Sequence, residues 1–191
     1  RGETKGALEA YEVAVRANPR DTITHNNMGI VLQTLGHVSR AVEAYGVALK
    51  VDPTYAIAHY NLGVALQSQQ RLDEAINSYE TAVKHRPHYA DAYNNMGYAL
   101  QSKGDYQAAI KAYEEAVRLR PDFASARANL RHAKRKLEGG GAKSVVIEVS
   151  EDNGAAAPAP AAPARPVKPP LPKQKSLFNS MFGSSGSSSW Y

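Results

Sequence analysis

The sequence predicts an all-α fold built from stacked helical hairpins. The first observation is a repeat of 34 residues, because the segments 22–55, 56–89 and 90–123 align without gaps. The second is that small and large residues recur at the same places of each segment, at spacings that put them on one helical face. The third is a proline near the end of each segment, which stops a helix and redirects the chain. A fixed period of this length is typical of a solenoid.

Each segment reads as two amphipathic helices. The first helix has glycine at its eighth place and leucine three residues later, and the second has alanine, tyrosine and alanine before the proline. These positions are Gly29, Gly63 and Gly97; Leu32, Leu66 and Leu100; Ala41, Ala75 and Ala109; Tyr45, Tyr79 and Tyr113; Ala48, Ala82 and Ala116; and Pro53, Pro87 and Pro121. Glycine inside a helix costs about 1 kcal/mol relative to alanine. Its recurrence therefore indicates a steric demand, with the tyrosine ring filling the space that the small residues leave.

The same register extends beyond the three units at both ends. Residues 1–21 match the second helix of a unit whose first helix is missing, so we expect the chain to be part of a longer protein or a processed product. Residues 124–138 match one more first helix, which would cap the stack. The glycines at 139–141 are expected to end this helix.

The composition changes after the cap. Residues 139–175 are rich in glycine, alanine and proline and predict an extended linker, and residues 176–191 predict a disordered tail. Four large apolar residues of the tail share one helical face and suggest a segment that folds on a second partner. They are Leu177, Phe178, Met181 and Phe182. A sticky end without function is the alternative.

The repeated residues resemble the pattern of the tetratricopeptide repeat (TPR) family over roughly residues 1–123. The resemblance implies a right-handed solenoid of antiparallel helix pairs with a concave groove lined by the first helices. The sequence departs from the family pattern at place four, which holds His25, His59 or Tyr93, and at place eleven, which holds leucine instead of tyrosine.

The resemblance also implies a binding site, because places two, five, six, nine, twelve and thirteen of each unit face the groove. Place six is asparagine in every unit, and an amide both donates and accepts hydrogen bonds, so the row is suited to the backbone of an extended peptide. The row resembles that of the TPR superhelix of O-linked N-acetylglucosamine transferases. The alternative is that these asparagines, which are common in the family, bind only water. The candidate peptide-binding residues are Asn27, Asn61, Asn95, Asn129, Gln67, Tyr60 and Tyr98.

TPR proteins that clamp a C-terminal carboxylate carry lysine, arginine and asparagine at five defined groove places. The corresponding residues here are Asn26, Ile30, Asn61, Asp91 and Asn95, of which only Asn61 fits. Because the cationic donors of a carboxylate clamp are missing, the sequence predicts an extended ligand with little net charge.

Charge and composition argue against several other classes of function. The net charge of +5 arises locally, since residues 124–138 hold five basic residues and one acidic residue, and this argues only weakly for nucleic acid. The stripe Arg127, Arg131 and Arg135 is interpreted as a solvated face, with an acidic partner or RNA as the alternative. There is no cysteine, no histidine or acidic cluster on one face, no nucleophilic triad and no P-loop. We therefore expect neither a metal, a cofactor nor catalysis.

The predicted function is a non-catalytic scaffold or adaptor that binds an extended protein segment. One alternative is the substrate-recognition arm of a larger, glycosyltransferase-like enzyme. Another is a structural scaffold that self-associates through its open N-terminal face. No apolar run is long enough to cross a bilayer, and a cytoplasmic location is expected.

Overall fold

The computed structural model describes residues 2–140, which form eight α-helices and no strand. The helices are α1 Gly2–Ala17, α2 Thr22–Thr34, α3 Val38–Val51, α4 Ala56–Ser68, α5 Leu72–His85, α6 Ala90–Ser102, α7 Tyr106–Leu119 and α8 Ala124–Gly140. The all-α prediction is confirmed. The predicted tail at 176–191, with its apolar residues, and nearly all of the predicted linker lie outside the described residues.

The helices pair as the repeat predicts. Each of α2, α4 and α6 packs against the helix that follows it, α1 packs against α2, and α7 packs against α8. The cap α8 continues to Gly140, past the predicted end at residue 138. Glycine is a poor helix former but the cost of two glycines at a helix end is small, since terminal residues are not packed on both sides.

The helices form two layers of different curvature. Successive first helices contact one another, from α2 to α4, α6 and α8, whereas no such contact joins α1, α3, α5 and α7 within the part of the chain that the structure describes. The first helices therefore line the inner, concave side. We call the surface formed by places two, five, six, nine, twelve and thirteen of α2, α4, α6 and α8 the inner face, counting places from residues 22, 56, 90 and 124.

The fit of each hairpin depends on the recurring glycine and tyrosine. A Cβ atom on Gly29, Gly63 or Gly97 would lie 2.5, 2.6 or 2.7 Å from Cε1 of the tyrosine sixteen residues later. These three rings are fully buried, so they have no room to move away. The steric demand inferred from the sequence is therefore present in all three units.

The turn between the two helices of each unit contains a residue with a positive φ angle, in the left-handed region. Gly36 and Gly104 have φ angles of +83° and +86°, which glycine adopts without strain, but the second unit has Gln70 at the same place with φ of 61°. A side chain costs energy in this conformation. The second turn is thus the strained one of the three.

In the units 22–55 and 56–89, a histidine at place four hydrogen-bonds to the end of the preceding unit. The Nε2 atoms of His25 and His59 donate to the carbonyl oxygens of Pro19 and Pro53 at distances of 3.0 and 2.9 Å. Each of these hydrogen bonds satisfies a carbonyl at the turn between repeats.

We predict that Gly63→Ala destabilises the stack by about 1–3 kcal/mol, because the added methyl group overlaps the buried ring of Tyr79. Urea unfolding followed by far-UV circular dichroism measures this change. Gly46→Ala is the matched control, since Gly46 lies inside α3 with nothing within 4 Å of an added Cβ. The control should gain about 0.5–1 kcal/mol from helix propensity. Equal effects of both substitutions would contradict the packing argument.

Replacing the strained glutamine should have the opposite effect. Gln70→Gly is expected to raise the free energy of unfolding by up to about 1 kcal/mol, because glycine adopts a positive φ without a steric penalty. The same urea experiment measures it. Gly104→Gln, which places a glutamine in the equivalent turn, should lose a similar amount, and a stabilised Gly104→Gln protein would show that the turn is not strained.

Candidate functional site

The asparagines at place six form a ladder of hydrogen bonds between repeats. The Nδ2 atom of Asn61 donates to Oδ1 of Asn26 at 2.9 Å, and that of Asn129 donates to Oδ1 of Asn94 at 3.1 Å. Between them, Nδ2 of Asn95 donates to the hydroxyl of Tyr60 at 3.2 Å. Each asparagine thus bonds to the place-five residue of the preceding unit, 35 residues earlier.

In α2 and α6, the place-five residue also donates a hydrogen bond to place six of the same helix. Asn26 donates to Oδ1 of Asn27 at 3.4 Å, and Asn94 donates to Oδ1 of Asn95 at 3.2 Å. The sequence argument identified the place-six row but did not predict that Asn26 and Asn94 would hydrogen-bond to it. The signal in the sequence was that each of these residues is an amide directly before a place-six asparagine, because an amide can accept one hydrogen bond and donate another.

Most of the predicted site residues are buried. Asn27, Asn61 and Asn95 are 0% exposed and Asn129 is 5% exposed, whereas Tyr98 is half-buried. Gln67 is held by the hydroxyl of Tyr79, which donates to its Oε1 atom at 3.0 Å. The ladder thus consists of two hydrogen-bonded groups along the inner face, one of Asn27, Asn26 and Asn61 and one of Tyr60, Asn95, Asn94 and Asn129. Gln67 and Tyr98 lie on the same inner face.

The tyrosine at place five packs against two other rings. Tyr60 lies 4.9 Å from Tyr89 and 6.0 Å from Tyr79, measured between ring centroids. Arg86 lies over the ring of Tyr89, with its guanidinium carbon 4.8 Å from the ring centroid. The second unit therefore has an aromatic cluster at the position where the first and third units have an asparagine.

The inner face of the three complete units is almost uncharged. Asp91 is its one charged side chain, and it is neutralised by Arg120, whose Nη2 atom lies 2.7 Å from Oδ1. The cations that a carboxylate clamp needs are thus missing from the structure, as they are from the sequence. This polar but neutral surface is suited to groups that hydrogen-bond without carrying a charge.

Burial changes the acidity of the tyrosines around the ladder. Desolvation raises the pKa values of Tyr45, Tyr60, Tyr79 and Tyr113 well above the usual range, and Tyr89 shifts in the same direction for the same reason. These hydroxyls therefore remain protonated and keep their role as hydrogen-bond donors.

Within residues 2–140, no group of three or more His, Cys, Asp or Glu residues could hold a metal ion. None of the helices α1 to α8 combines the length and the apolar content that crossing a membrane requires.

A cleft of about 620 Å³ lies at the N-terminal end of the stack, between α1 and the turn that follows α2. Leu8, Glu12, Thr34 and His37 line it, and Glu12 forms an ion pair with Arg40 at 3.2 Å. None of the predicted site residues takes part. Ala7, Tyr11 and Ala14 of α1 are half-buried, whereas their counterparts Ala41, Tyr45 and Ala48 in α3 are fully buried; self-association through this end stays a prediction.

Comparison with known proteins agrees with this geometry. A family model described as tetratricopeptide repeat matches residues 54–122, and a second one described as TPR repeat matches residues 35–70. A crystal structure of MamA is 31% identical, with a TM-score of 0.68, over 73% of this chain and 80% of that chain. The chain belongs to the tetratricopeptide repeat family. A search of curated proteins gives no significant match.

Two further TPR structures share the fold. The Sgt2 TPR domain from Aspergillus fumigatus is 22% identical, with a TM-score of 0.62, over 71% of this chain and 91% of that chain. The first TPR of Spaghetti (RPAP3), bound to the HSP90 peptide SRMEEVD, is 22% identical, with a TM-score of 0.60, over 61% of this chain and 93% of that chain. Proteins of the TPR family are generally non-catalytic interaction modules, and the chain is accordingly a protein-interaction module. The likeness of its asparagine row to that of the glycosyltransferases stays a prediction.

The buried tyrosines make the stability of the TPR stack fall at alkaline pH. The folded state holds protons that the unfolded chain releases near pH 10, so stability is complete below about pH 10 and is lost as the pH rises further. The melting temperature, measured by circular dichroism together with tyrosinate absorbance, should decline in this range. Tyr113→Phe removes one such proton and should decline less steeply. Full tyrosine ionisation near pH 10 without loss of helix would contradict the argument.

Proposed function

We propose that this TPR protein binds an extended segment of a partner protein along its inner face. The observation that carries the proposal is the ladder at places five and six. Its asparagines are held in one orientation by hydrogen bonds that cross from repeat to repeat. These asparagines are at most 5% exposed, so the ladder acts by fixing the spacing of the less buried residues on the same inner face, such as Tyr98 and Gln101. An extended peptide has a regular spacing of its own, so a surface of fixed, regular spacing is complementary to it.

Pre-organisation is the energetic advantage of this arrangement. A surface whose repeats are already held in register loses little entropy when a ligand binds. Half-buried Tyr98 on the inner face adds apolar surface, which provides affinity that does not depend on the charge of the ligand. Recognition would therefore depend mostly on an extended conformation.

The neutral inner face separates this proposal from carboxylate clamping. The RPAP3 domain binds a peptide that ends in acidic residues, but the places that would hold a clamp contain Asn26, Ile30, Asp91 and Asn95 here. The first, second and fourth are neutral, and the third is acidic and paired with Arg120. A clamp of the HSP90-peptide type is therefore not proposed. The alternatives of an enzyme's substrate-recognition arm and of a self-stacking scaffold stay predictions.

The proposal predicts that inner-face substitutions weaken peptide binding. Peptides selected from a random library displayed between flanking sequences serve as probes, and fluorescence anisotropy gives their dissociation constants. Asn61→Ala/Asn95→Ala should weaken binding by about tenfold or more, because the hydrogen bonds to Asn26 and Tyr60 that hold neighbouring repeats in register are lost and the inner face is no longer fixed. Tyr98→Ala should have a similar effect through lost apolar contact.

The two variants and one control separate binding from stability. Asn61 and Asn95 are buried, so their double variant is also expected to melt earlier, whereas half-buried Tyr98 should affect stability less. Asn77→Ala is the control, because Asn77 is an exposed asparagine on the outer helix α5. Binding is compared at a temperature where circular dichroism shows all four proteins to be folded. Unchanged affinity of both inner-face variants would overturn the proposal.

A further inference from the structure

We propose that the segment bound on the inner face carries acidic side chains at the end that meets α8. This inference rests on the proposed function and adds the chemistry and the direction of the ligand. Three rows of the inner face, at places nine, twelve and thirteen, change their residue type between α6 and α8.

All three rows end on a basic residue. Place nine holds Ile30, Val64 and Tyr98 in the three units and His132 in α8. Place twelve changes from glutamine to Arg135, and place thirteen changes from Thr34, Ser68 and Ser102 to Lys136. A surface that is neutral along three repeats thus becomes cationic at its last helix.

The change at place twelve has a structural cause. Gln33, Gln67 and Gln101 accept hydrogen bonds from the hydroxyls of Tyr45, Tyr79 and Tyr113, at 3.1, 3.0 and 3.5 Å. Within the described residues, α8 has no second helix after it and so no such tyrosine. Arg135 is exposed where the glutamines are partly or fully buried. Its side chain is therefore available to a ligand instead of being committed to the hairpin.

The two cations lack acidic partners within residues 2–140. The ion pairs there involve Arg40, Arg71, Lys103, Arg118, Arg120 and Lys134, and they include neither Arg135 nor Lys136. Lys134, on the side of α8 that faces α7, pairs with Glu114 at 2.9 Å. A solubilising polar face explains Arg127 and Arg131 at places four and eight, but it does not explain why the inner rows become basic as well.

Charge complementarity identifies the occupant as a peptide that is uncharged along most of its length and acidic at one end. A carboxylate near Arg135 and Lys136 gains charge-assisted hydrogen bonds, and opposite charges at one end fix the direction in which the peptide lies. This contact differs from a clamp for a C-terminal carboxylate, since it uses α8 and needs no free C-terminus. Nucleic acid is disfavoured because the neutral rows offer no cations for further phosphates.

The test uses the full chain and the same displayed library, whose flanking sequences leave no peptide C-terminus free. Peptides selected by the wild-type protein should be enriched in Asp and Glu at one end. Arg135→Glu/Lys136→Glu should lose this enrichment and bind a wild-type-selected acidic peptide about tenfold more weakly. Lys84→Glu/Lys111→Glu, which changes the net charge equally on exposed sites of the outer helices, should behave like the wild type. A higher salt concentration should weaken the binding of the acidic peptide more than the binding of an analogue that has Asn and Gln in place of Asp and Glu.

The possible results separate this inference from the proposed function. Selected peptides without an acidic end, or with the same acidic end in both double variants, overturn the inference and leave peptide binding intact. Selection of no peptide at all overturns both. Binding of single-stranded RNA that depends on Arg135 and Lys136, with no acidic peptide enriched, overturns the inference in favour of nucleic acid. Circular dichroism before each selection verifies that the variants are folded.

Discussion

The absence of a Cβ atom at place eight is the constraint on which the rest of the stack depends. The ring of Tyr79 occupies the space where a side chain of Gly63 would lie, and the same fit recurs in the units before and after it. Only this close approach lets the tyrosine reach across the hairpin to Gln67. The two helices of a hairpin approach equally closely in all three units. Their first helices can therefore stack in one register, which brings place six of one unit next to place five of the preceding unit.

The ladder links that register to specificity. A buried amide without a hydrogen-bond partner costs free energy, so a repeat displaced along its neighbour would leave Asn61 or Asn95 away from Asn26 or Tyr60. Apolar contacts between alanines and leucines tolerate small displacements, because they have no direction. The polar row therefore selects one stacking arrangement among several that would bury similar apolar area, and the same row holds the inner face in the shape that we propose for binding.

The sequence predicted the helices and their pairing, because a period of 34 residues and spacings of three and four determine which residues share a face. It placed the asparagines in the groove as ligand contacts and did not predict that Asn27, Asn61 and Asn95 would be fully buried. It did not predict that Asn95 would bond to Tyr60, since the offset between neighbouring repeats depends on side-chain packing that no single helix encodes. Nor did it predict the strained turn, because Gln70 lacks the glycine that marks the other two turns. The helix end at Gly140 was missed because glycine is a weak stop signal where nothing packs against the terminus.

The cap shows what happens when the repeat constraint ends. In α2, α4 and α6 the residue at place twelve must be an acceptor for a buried tyrosine, and glutamine satisfies this requirement each time. In α8 the requirement disappears, so place twelve is free to serve solvent or a ligand. Contact with solvent alone would require only a polar residue, such as the serine and threonine found at place thirteen of the three units. The choice of Arg135 and Lys136 at two neighbouring inner places, beside the half-buried His132, instead concentrates positive charge on the side that faces the groove.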